Sequence, residues 1–311
     1  MWDTASQSMQ PVLKSCVMPT FGEKAHGTSA QPVQAHTHPV YSLTCDTLVD
    51  TRHLISASTD GLVCVWSLDL LARPQEMIPL KREPNAGRTD EVSVACLAVP
   101  DAAENTHLWV GTLDGTLQRV IRSDRANSKA GLDPAAVYVG HTSAVTALHF
   151  HPRASSKTKS DQVSELQDVF LSASFDWSLC LWRASAKPRE QTSQAGLTIA
   201  PLHIMYGGSD AVYDVQWSPQ NDSLFAAVDG SGKLLLWDLA QSPDVPIVIE
   251  EVMHECALTR VRWSADGQSL FIGDEAGMLS LYAIGEEVKI LLFEKFRDAF
   301  DTDCLIPAFP V

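Results

Sequence analysis

The chain has 311 residues, of which 45% are hydrophobic and 20% are charged, and its formal net charge is −15. This is the composition of a globular protein with a substantial core, and an all-β chain of this length can form one domain. The acidic balance argues against a nucleic-acid-binding surface, because such a surface presents Lys and Arg to phosphates. No apolar run approaches the roughly 18 to 20 residues that a membrane-spanning helix needs.

The seven cysteines are scattered and form no Cys-x-x-Cys pair. An odd, dispersed set of this kind is typical of reduced thiols in a cytosolic compartment. The residues that follow Met1 are polar, which is not the pattern of a secretory signal peptide. We therefore expect an intracellular protein with no membrane span.

One short phrase recurs along the chain, in which a turn residue is followed six positions later by an aromatic residue that closes an apolar strand. The clearest copies are Ser56-Ala-Ser-Thr-Asp60-Gly-Leu-Val-Cys-Val-Trp66, Ser172-Ala-Ser-Phe-Asp176-Trp-Ser-Leu-Cys-Leu-Trp182 and Ala226-Ala-Val-Asp-Gly-Ser231-Gly-Lys-Leu-Leu-Leu-Trp237. Weaker copies end at Val120 and Tyr282. Internal repetition of this size is the signature of a propeller or a solenoid.

Other strands are predicted around each copy. Alternating apolar and polar residues begin at Val40, Val145, Val212 and Leu258, and further strand candidates cover 77–80, 135–139, 202–206 and 247–249. Each candidate of the second kind has a Pro close by, as expected of an outer edge strand where one amide need not pair. Four strands in each repeat correspond to one propeller blade.

The predicted fold is therefore an all-β propeller with five recognisable blades. Trp2-Asp3 is predicted to be the end of a further blade that precedes these five. We divide the chain into that remnant and a connecting segment (1–34), the propeller blades (35–283) and a C-terminal tail (284–311). Apolar residues within 286–299 lie close to helical spacing. The tail is thus predicted as a short amphipathic helix, or as a final strand that runs into a helix.

The repeated phrase is the WD-repeat pattern, and that resemblance implies a hydrogen-bonded network in each blade. The network joins a His before the first strand, a Ser or Thr, the turn Asp and the closing Trp. The best copy predicts His141, Ser172 or Ser174, Asp176 and Trp182; a second copy predicts His36, Ser56 or Ser58, Asp60 and Trp66; Trp237 closes a partial copy. The resemblance makes these residues structural and not catalytic, since a buried network fixes a blade when every member is satisfied.

Enzymatic and metal-binding patterns in the chain are weak. The pairs His36/His38 and His149/His151 have no third ligand at a matching spacing, and Gly230-Ser-Gly-Lys233 does not meet the requirements of a phosphate-binding loop. No nucleophile elbow accompanies the scattered Ser, His and Asp residues. We expect no catalytic, metal or cofactor site, although a propeller enzyme remains an alternative.

Phe175 and Trp177 flank the turn Asp176 on a loop at one rim of the predicted propeller. An exposed Trp in such a place is a candidate anchor for a partner protein. The alternative is that one or both rings pack against the neighbouring blade.

Longer segments of the chain resemble the C-terminal WD-repeat domain of dynein intermediate chains, most closely the cytoplasmic subfamily. The segments, in chain order, are Ala35-His-Thr-His-Pro-Val-Tyr41, Leu54-Ile-Ser-Ala-Ser-Thr-Asp-Gly61, Trp66-Ser-Leu-Asp69, Ser128-Lys-Ala-Gly131, Ser174-Phe-Asp-Trp177, Val212-Tyr-Asp-Val215, Trp217-Ser-Pro219, Leu224-Phe-Ala-Ala-Val-Asp-Gly230 and Leu258-Thr-Arg-Val-Arg-Trp263. The resemblance implies a non-catalytic subunit that binds a dynein heavy chain, supports microtubule-based transport, and is cytoplasmic and cytoskeleton-associated.

The chain also departs from that family. The family propeller has seven blades, and its light-chain and dynactin contacts lie in an extended N-terminal region with no counterpart among these residues. We expect a truncated chain, or a ring completed by another chain. The alternatives are a WD-repeat scaffold in another complex and an axonemal dynein intermediate chain.

Overall fold

A computed structural model describes residues 36–46, 53–69, 71, 73–82, 92–100, 107–122, 130–152, 168–187, 189–190, 197–252, 256–285 and 290–296. The secondary-structure elements of these residues are β-strands, and the prediction of an all-β chain is confirmed. The remnant predicted at 1–34 lies outside the described residues, as does the end of the tail after Phe296.

The chain divides into two compact units, of which the first comprises Met1–Thr112 and Gln118–Pro134. Two four-stranded sheets begin in this unit, and the strands follow one another in chain order across each sheet. Their strands are β1 (Val40–Asp46), β2 (His53–Ser58), β3 (Leu62–Ser67) and β4 (Glu76–Pro79), then β5 (Val94–Ala98), β6 (His107–Thr112), β7 (Thr116–Ile121) and β8 (Gly131–Val139). β8 continues into the second unit, which comprises Leu113–Leu117 and Ala135–Val311.

Three further four-stranded sheets lie in the second unit, together with one small hairpin. The third blade contains β9 (Val145–Phe150), β10 (Val169–Ser174), β11 (Ser178–Arg183) and β14 (His203–Tyr206), and the hairpin β12 (Arg189–Glu190) and β13 (Leu197–Thr198) interrupts it. The fourth contains β15 (Val212–Trp217), β16 (Leu224–Asp229), β17 (Lys233–Asp238) and β18 (Val248–Glu251). The fifth contains β19 (Leu258–Trp263), β20 (Ser269–Asp274), β21 (Leu279–Ile284) and β22 (Ile290–Phe296).

The third strand of each blade carries the predicted closing residue, and the predicted outer strands correspond to β4, β8, β14 and β18. Sequence reasoning missed β5, whose Val-Ala-Cys-Leu-Ala is short and lacks the closing ring of its counterparts. Of the two alternatives predicted for the tail, Ile290–Phe296 form the final strand and not a helix, and they pair antiparallel with β21 as the outer strand of the fifth blade. A short apolar run fits both periods, and the unpaired edge of β21 decides in favour of a strand.

Burial differs between the inner and the middle strands of a blade. All six residues of β10 and of β16 are buried, because a middle strand is paired on both edges and covered on both faces. The first strands β9 and β15 bury four residues each and leave two partly exposed. Cys64 and Cys180 lie in the core, where burial raises the pKa of each thiol to about 12, so both behave as small hydrophobic residues.

Side chains on the first strands also hydrogen-bond to the backbone of the next blade. The Gln216 side-chain oxygen accepts the Trp263 amide at 2.8 Å, and His149 Nδ1 accepts the Trp217 amide at 3.3 Å from the equivalent position. Asp214, which lies two residues before Gln216 in β15, accepts the Val261 amide at 3.1 Å. In the first unit, Ser42 Oγ accepts the Leu97 amide at 3.1 Å in the same way. These contacts satisfy amides at an inner strand edge that no further strand of the described residues covers.

Asp214 and Arg262 add an ion pair to this inner row. Arg262 Nη1 donates to Asp214 Oδ2 at 2.8 Å, while the carboxylate side chain is almost completely buried. Burial raises the pKa of Asp214, and the guanidinium of Arg262 and the Val261 amide oppose that shift. A buried carboxylate is tolerated here because a cation and backbone amides face it.

His149 makes this row sensitive to acid. Burial, together with the nearby Arg262 and His151, lowers the pKa of His149 to about 4. In the unfolded chain a His has a pKa of about 6.5. At pH values between about 4 and 6.5 the unfolded chain therefore binds more protons at this residue than the folded chain does. The stability contribution is complete above pH 6.5 and is lost as the pH falls through 4.

We expect His149→Gln to remove this acid sensitivity. The Gln oxygen can accept the Trp217 amide, as Gln216 does for Trp263, but it does not titrate. Urea unfolding at pH 7 and pH 4 measures the difference, which we expect to shrink by up to about 3 kcal/mol in the variant. His38→Gln, at an exposed His, is the matched control. An unchanged pH dependence in His149→Gln would contradict this explanation.

Candidate functional site: blade networks and an exposed aromatic turn

The third blade contains a continuous hydrogen-bonded network from its closing Trp to its turn Asp. Trp182 Nε1 donates to Ser172 Oγ at 2.7 Å, and Ser172 Oγ lies 2.6 Å from His141 Nε2. His141 Nδ1 lies 3.2 Å from Asp176 Oδ2 and 2.9 Å from Ser178 Oγ. The indole is 0% exposed. The structure thus brings together the predicted His141, Asp176 and Trp182, and of the two candidate serines it selects Ser172.

The chemistry of the partners assigns the protons in this network. The Asp176 carboxylate only accepts, so a neutral His141 carries its proton on Nδ1 and leaves Nε2 as an acceptor for the Ser172 hydroxyl. The Ser172 oxygen is then free to accept the Trp182 N–H. Each donor meets an acceptor, which is the condition under which buried polar groups stabilise a fold.

Asp176 also holds the turn by its carboxylate. Thr142 N and Ser178 N donate to its oxygens at 2.7 and 3.0 Å. Burial alone would raise the pKa of Asp176, but the hydrogen bonds from His141, Ser178 and Thr142 outweigh it and hold the pKa well below its usual range. The carboxylate is therefore charged at neutral pH, and its contribution is present above pH 4 and is lost only in strong acid.

The first blade repeats this arrangement. Trp66 Nε1 donates to Ser56 Oγ at 2.8 Å, Ser56 Oγ lies 2.8 Å from His36 Nε2, and His36 Nδ1 lies 3.2 Å from Asp60 Oδ2. Burial of Asp60 raises its pKa, and the Thr37 and Leu62 amides together with His36 outweigh that effect, so the pKa is lowered. Ser56 is thus the network serine.

The second candidate serine of each copy has a different partner. Ser58 Oγ donates to the His38 carbonyl at 3.1 Å, and Ser174 Oγ donates to the Ser143 carbonyl at 3.1 Å. Both hydroxyls tie the turn to the loop that enters the first strand. The two serines of a copy therefore hold different parts of the same blade.

The fourth blade lacks this network. Gly208 and Ala227 occupy the positions of the His and the network Ser, and Trp237 Nε1 is buried without a hydrogen-bond partner among the described residues. The Trp237 ring is held by stacking on Phe225, with centroids 5.9 Å apart. The structure therefore places Trp237 in the core but does not join it to a polar network.

Two carboxylates that sequence reasoning missed hold the last two turns. Asp229 accepts the Ser209 and Lys233 amides at 3.1 and 2.9 Å, which are the contacts that Asp60 and Asp176 make in their blades. Asp274 accepts the Met278 amide at 2.8 Å. Both lie eight residues before the closing ring instead of six, so a search at the fixed spacing passes over them.

Phe175 and Trp177 differ in their surroundings. The Phe175 ring packs edge-on against Tyr213 of the fourth blade, with centroids 5.3 Å apart, and remains partly exposed. Trp177 is 52% exposed and has a φ of +69°. The alternative of packing against the neighbouring blade thus holds for Phe175, whereas Trp177 presents half of its side chain to solvent.

The paired histidines take part in ordinary contacts of the fold. His36 belongs to the first network, and His151 Nε2 donates to the Asp222 carbonyl at 2.9 Å while its ring packs on Trp217. Across the described part of the chain no group of three His, Cys, Asp or Glu side chains could hold a metal ion. Among the same residues no helix is long and apolar enough to cross a membrane.

Comparison with known proteins agrees with this geometry. The family model described as "WD domain, G-beta repeat" matches residues 27–67, 132–183 and 199–238, which include both complete networks. The fold is that of a WD-repeat β-propeller. The chain is 36% identical over 255 residues to "Cytoplasmic dynein 1 intermediate chain" of Drosophila melanogaster. The aligned residues make up 82% of this chain and 34% of that protein. The chain therefore resembles the WD-repeat domain of dynein intermediate chains, and it spans about a third of the length of this relative.

The incomplete WD-repeat network of the fourth blade provides a matched test. Trp182→Phe and Trp237→Phe remove the same atoms, and both indoles stack on a Phe ring of the neighbouring strand. Only Trp182→Phe removes an indole hydrogen bond. We expect it to lower the free energy of unfolding by about 1 kcal/mol more than Trp237→Phe does. Urea unfolding measures both values, and equal losses would show that the network adds nothing to ring packing.

Proposed function

We propose that the chain is a non-catalytic WD-repeat subunit of a dynein motor complex, in which it binds the dynein heavy chain and supports microtubule-based transport. The observation that carries this proposal is the 36% identity to a cytoplasmic dynein intermediate chain over 82% of the chain. The same similarity supports a cytoplasmic, cytoskeleton-associated location. The fold alone would not support this function, because propellers carry many unrelated functions.

The chemistry of the described residues is consistent with a binding role. The best clusters of His, Ser and Asp side chains are used within the blades, where their hydrogen bonds are directed at one another and at the backbone. Such networks hold turns and strand ends in fixed positions, which a partner-binding surface requires. A binding subunit of this kind makes and breaks no covalent bond.

Copurification tests the proposal directly. The full chain, carrying an affinity tag, is coexpressed with the tail of a dynein heavy chain, and the eluate is resolved by size-exclusion chromatography. We expect the two chains to coelute in a defined stoichiometry. A tagged WD-repeat protein from an unrelated complex, coexpressed with the same tail, measures non-specific capture.

Folding of the chain must be measured in the same preparation. A cooperative urea transition of the purified chain shows that the blades are folded. A folded chain that elutes without the heavy-chain tail would contradict the proposal.

A further inference from the structure

The outer strand of the third blade differs from the other outer strands in its sequence. β14 reads His-Ile-Met-Tyr and contains neither Pro nor an acidic residue. By contrast, β4 contains Pro79, β8 contains Pro134, β18 contains Glu250 and Glu251, and β22 contains Glu294. Proline and charge are the usual means by which proteins prevent an edge strand from pairing with another chain. Pro201 lies just before β14, but the strand itself has none of this protection.

The outward side chains of this strand are apolar. Leu202, Ile204 and Tyr206 are 52%, 37% and 68% exposed, while Met205 between them is buried. Within the described residues, β14 pairs with β11 on one edge and with no strand on the other. An unpaired edge with apolar side chains at alternate positions is the surface that an extended peptide recognises when it adds a strand.

Trp177 extends this surface at one end. Tyr206 lies opposite Ser178 in the β11–β14 register, and Ser178 directly follows Trp177 along the chain. The other four turns of this kind hold Gly61, Gly115, Gly232 and Gly277, each with a φ between +73° and +85°. A left-handed φ is unfavourable for a residue with a side chain, by roughly 1 to 2 kcal/mol. The turn thus has an unfavourable backbone conformation at Trp177, the residue whose indole is half exposed.

Charge identifies the kind of partner. The chain has a formal net charge of −15, Asp210 follows β14 after four residues, and Asp244 lies 3.1 Å from His203 with its side chain 77% exposed. A carboxylate therefore lies beside the first residue of the strand, and a second follows the last residue along the chain. Positive residues on either side of an apolar segment are favoured at such a site.

We propose that Leu202–Tyr206 and Trp177 form a docking site for an extended, basic-flanked segment of a partner protein, which adds to the third blade as a fifth strand. Backbone hydrogen bonds to the free edge of β14 bind the segment, and its alternate apolar side chains contact Ile204, Tyr206 and the Trp177 indole. This site does not depend on the proposed dynein function, because it is argued from β14 and Trp177 alone.

The probe is a fluorescein-labelled peptide, Lys-Lys-Thr-Val-Thr-Val-Thr-Val-Lys-Lys, titrated with the full chain and followed by fluorescence anisotropy. We expect saturable binding with a Kd below about 1 mM, and hydrogen-exchange protection in β14 on addition of the peptide. Peptides with Glu in place of every Lys, or with Pro in place of the central Val, should bind at least tenfold more weakly. No binding of the basic peptide, or no protection of β14, would overturn the proposal.

Two variants locate the site. Ile204→Lys repels the peptide and blocks the edge, and should weaken binding at least tenfold; Ile249→Lys, at an exposed Ile of the outer strand β18, is its control. Trp177→Gly fits the left-handed turn, so its urea midpoint should be unchanged or higher, while its peptide affinity falls severalfold. Equal affinities for the wild type, Ile204→Lys and Trp177→Gly would overturn the proposal. Heavy-chain copurification is a separate measurement. A failure of peptide binding would therefore leave the test of the proposed dynein function unaffected.

Discussion

The fold depends on the matching of donors and acceptors along the chain of side chains from Trp to Ser to His to Asp. Burial of an indole N–H, a hydroxyl and an imidazole in a blade costs least when each meets a partner, because an unpaired buried polar group costs about 1 to 3 kcal/mol. In the third blade the distances of 2.7, 2.6 and 3.2 Å show that each does. The carboxylate at the end of the chain then binds backbone amides of the turn and of the incoming loop, which links the core to the surface.

The blades apply this device unevenly. The first and third are complete, whereas the fourth keeps the ring and the turn carboxylate but has Gly208 and Ala227 in place of the polar residues between them. Ring stacking on Phe225 and the Asp229 contacts hold that blade instead. Polar links between first strands, such as those from Gln216 and Asp214, connect neighbouring blades within the second unit. The fourth blade is therefore supported by several independent contacts without the network.

Much of this could be predicted from the sequence, because the repeat spacing places Asp and Trp at the two ends of one hairpin. The choice between Ser56 and Ser58 could not, since residues two apart share a strand face and only the register against Trp66 separates them. Asp229 and Asp274 were missed because the carboxylate moves two residues back within the turn while its backbone contacts stay the same. The links made by His149 and Gln216 are contacts between strands distant in sequence, which a local pattern does not encode.

The surface carries information that the repeat does not. Trp177 occupies a position where the other hairpins have Gly, and Phe175 beside it packs on the next blade while Trp177 remains exposed. The blade networks explain stability and the similarity to dynein intermediate chains supports a binding function. Local departures from the repeat, at Trp177 and along β14, are the observations behind the proposed docking site.

The central claim is that Asp176 and Trp182 act through one network although they do not touch. A double-mutant cycle with Asp176→Asn and Trp182→Phe, followed by urea unfolding at pH 7, measures this coupling. If His141 and Ser172 transmit it, the double variant should lose less stability than the sum of the single losses, by more than about 0.5 kcal/mol. Losses that add within that margin would contradict the account, because the two residues would then stabilise the blade independently.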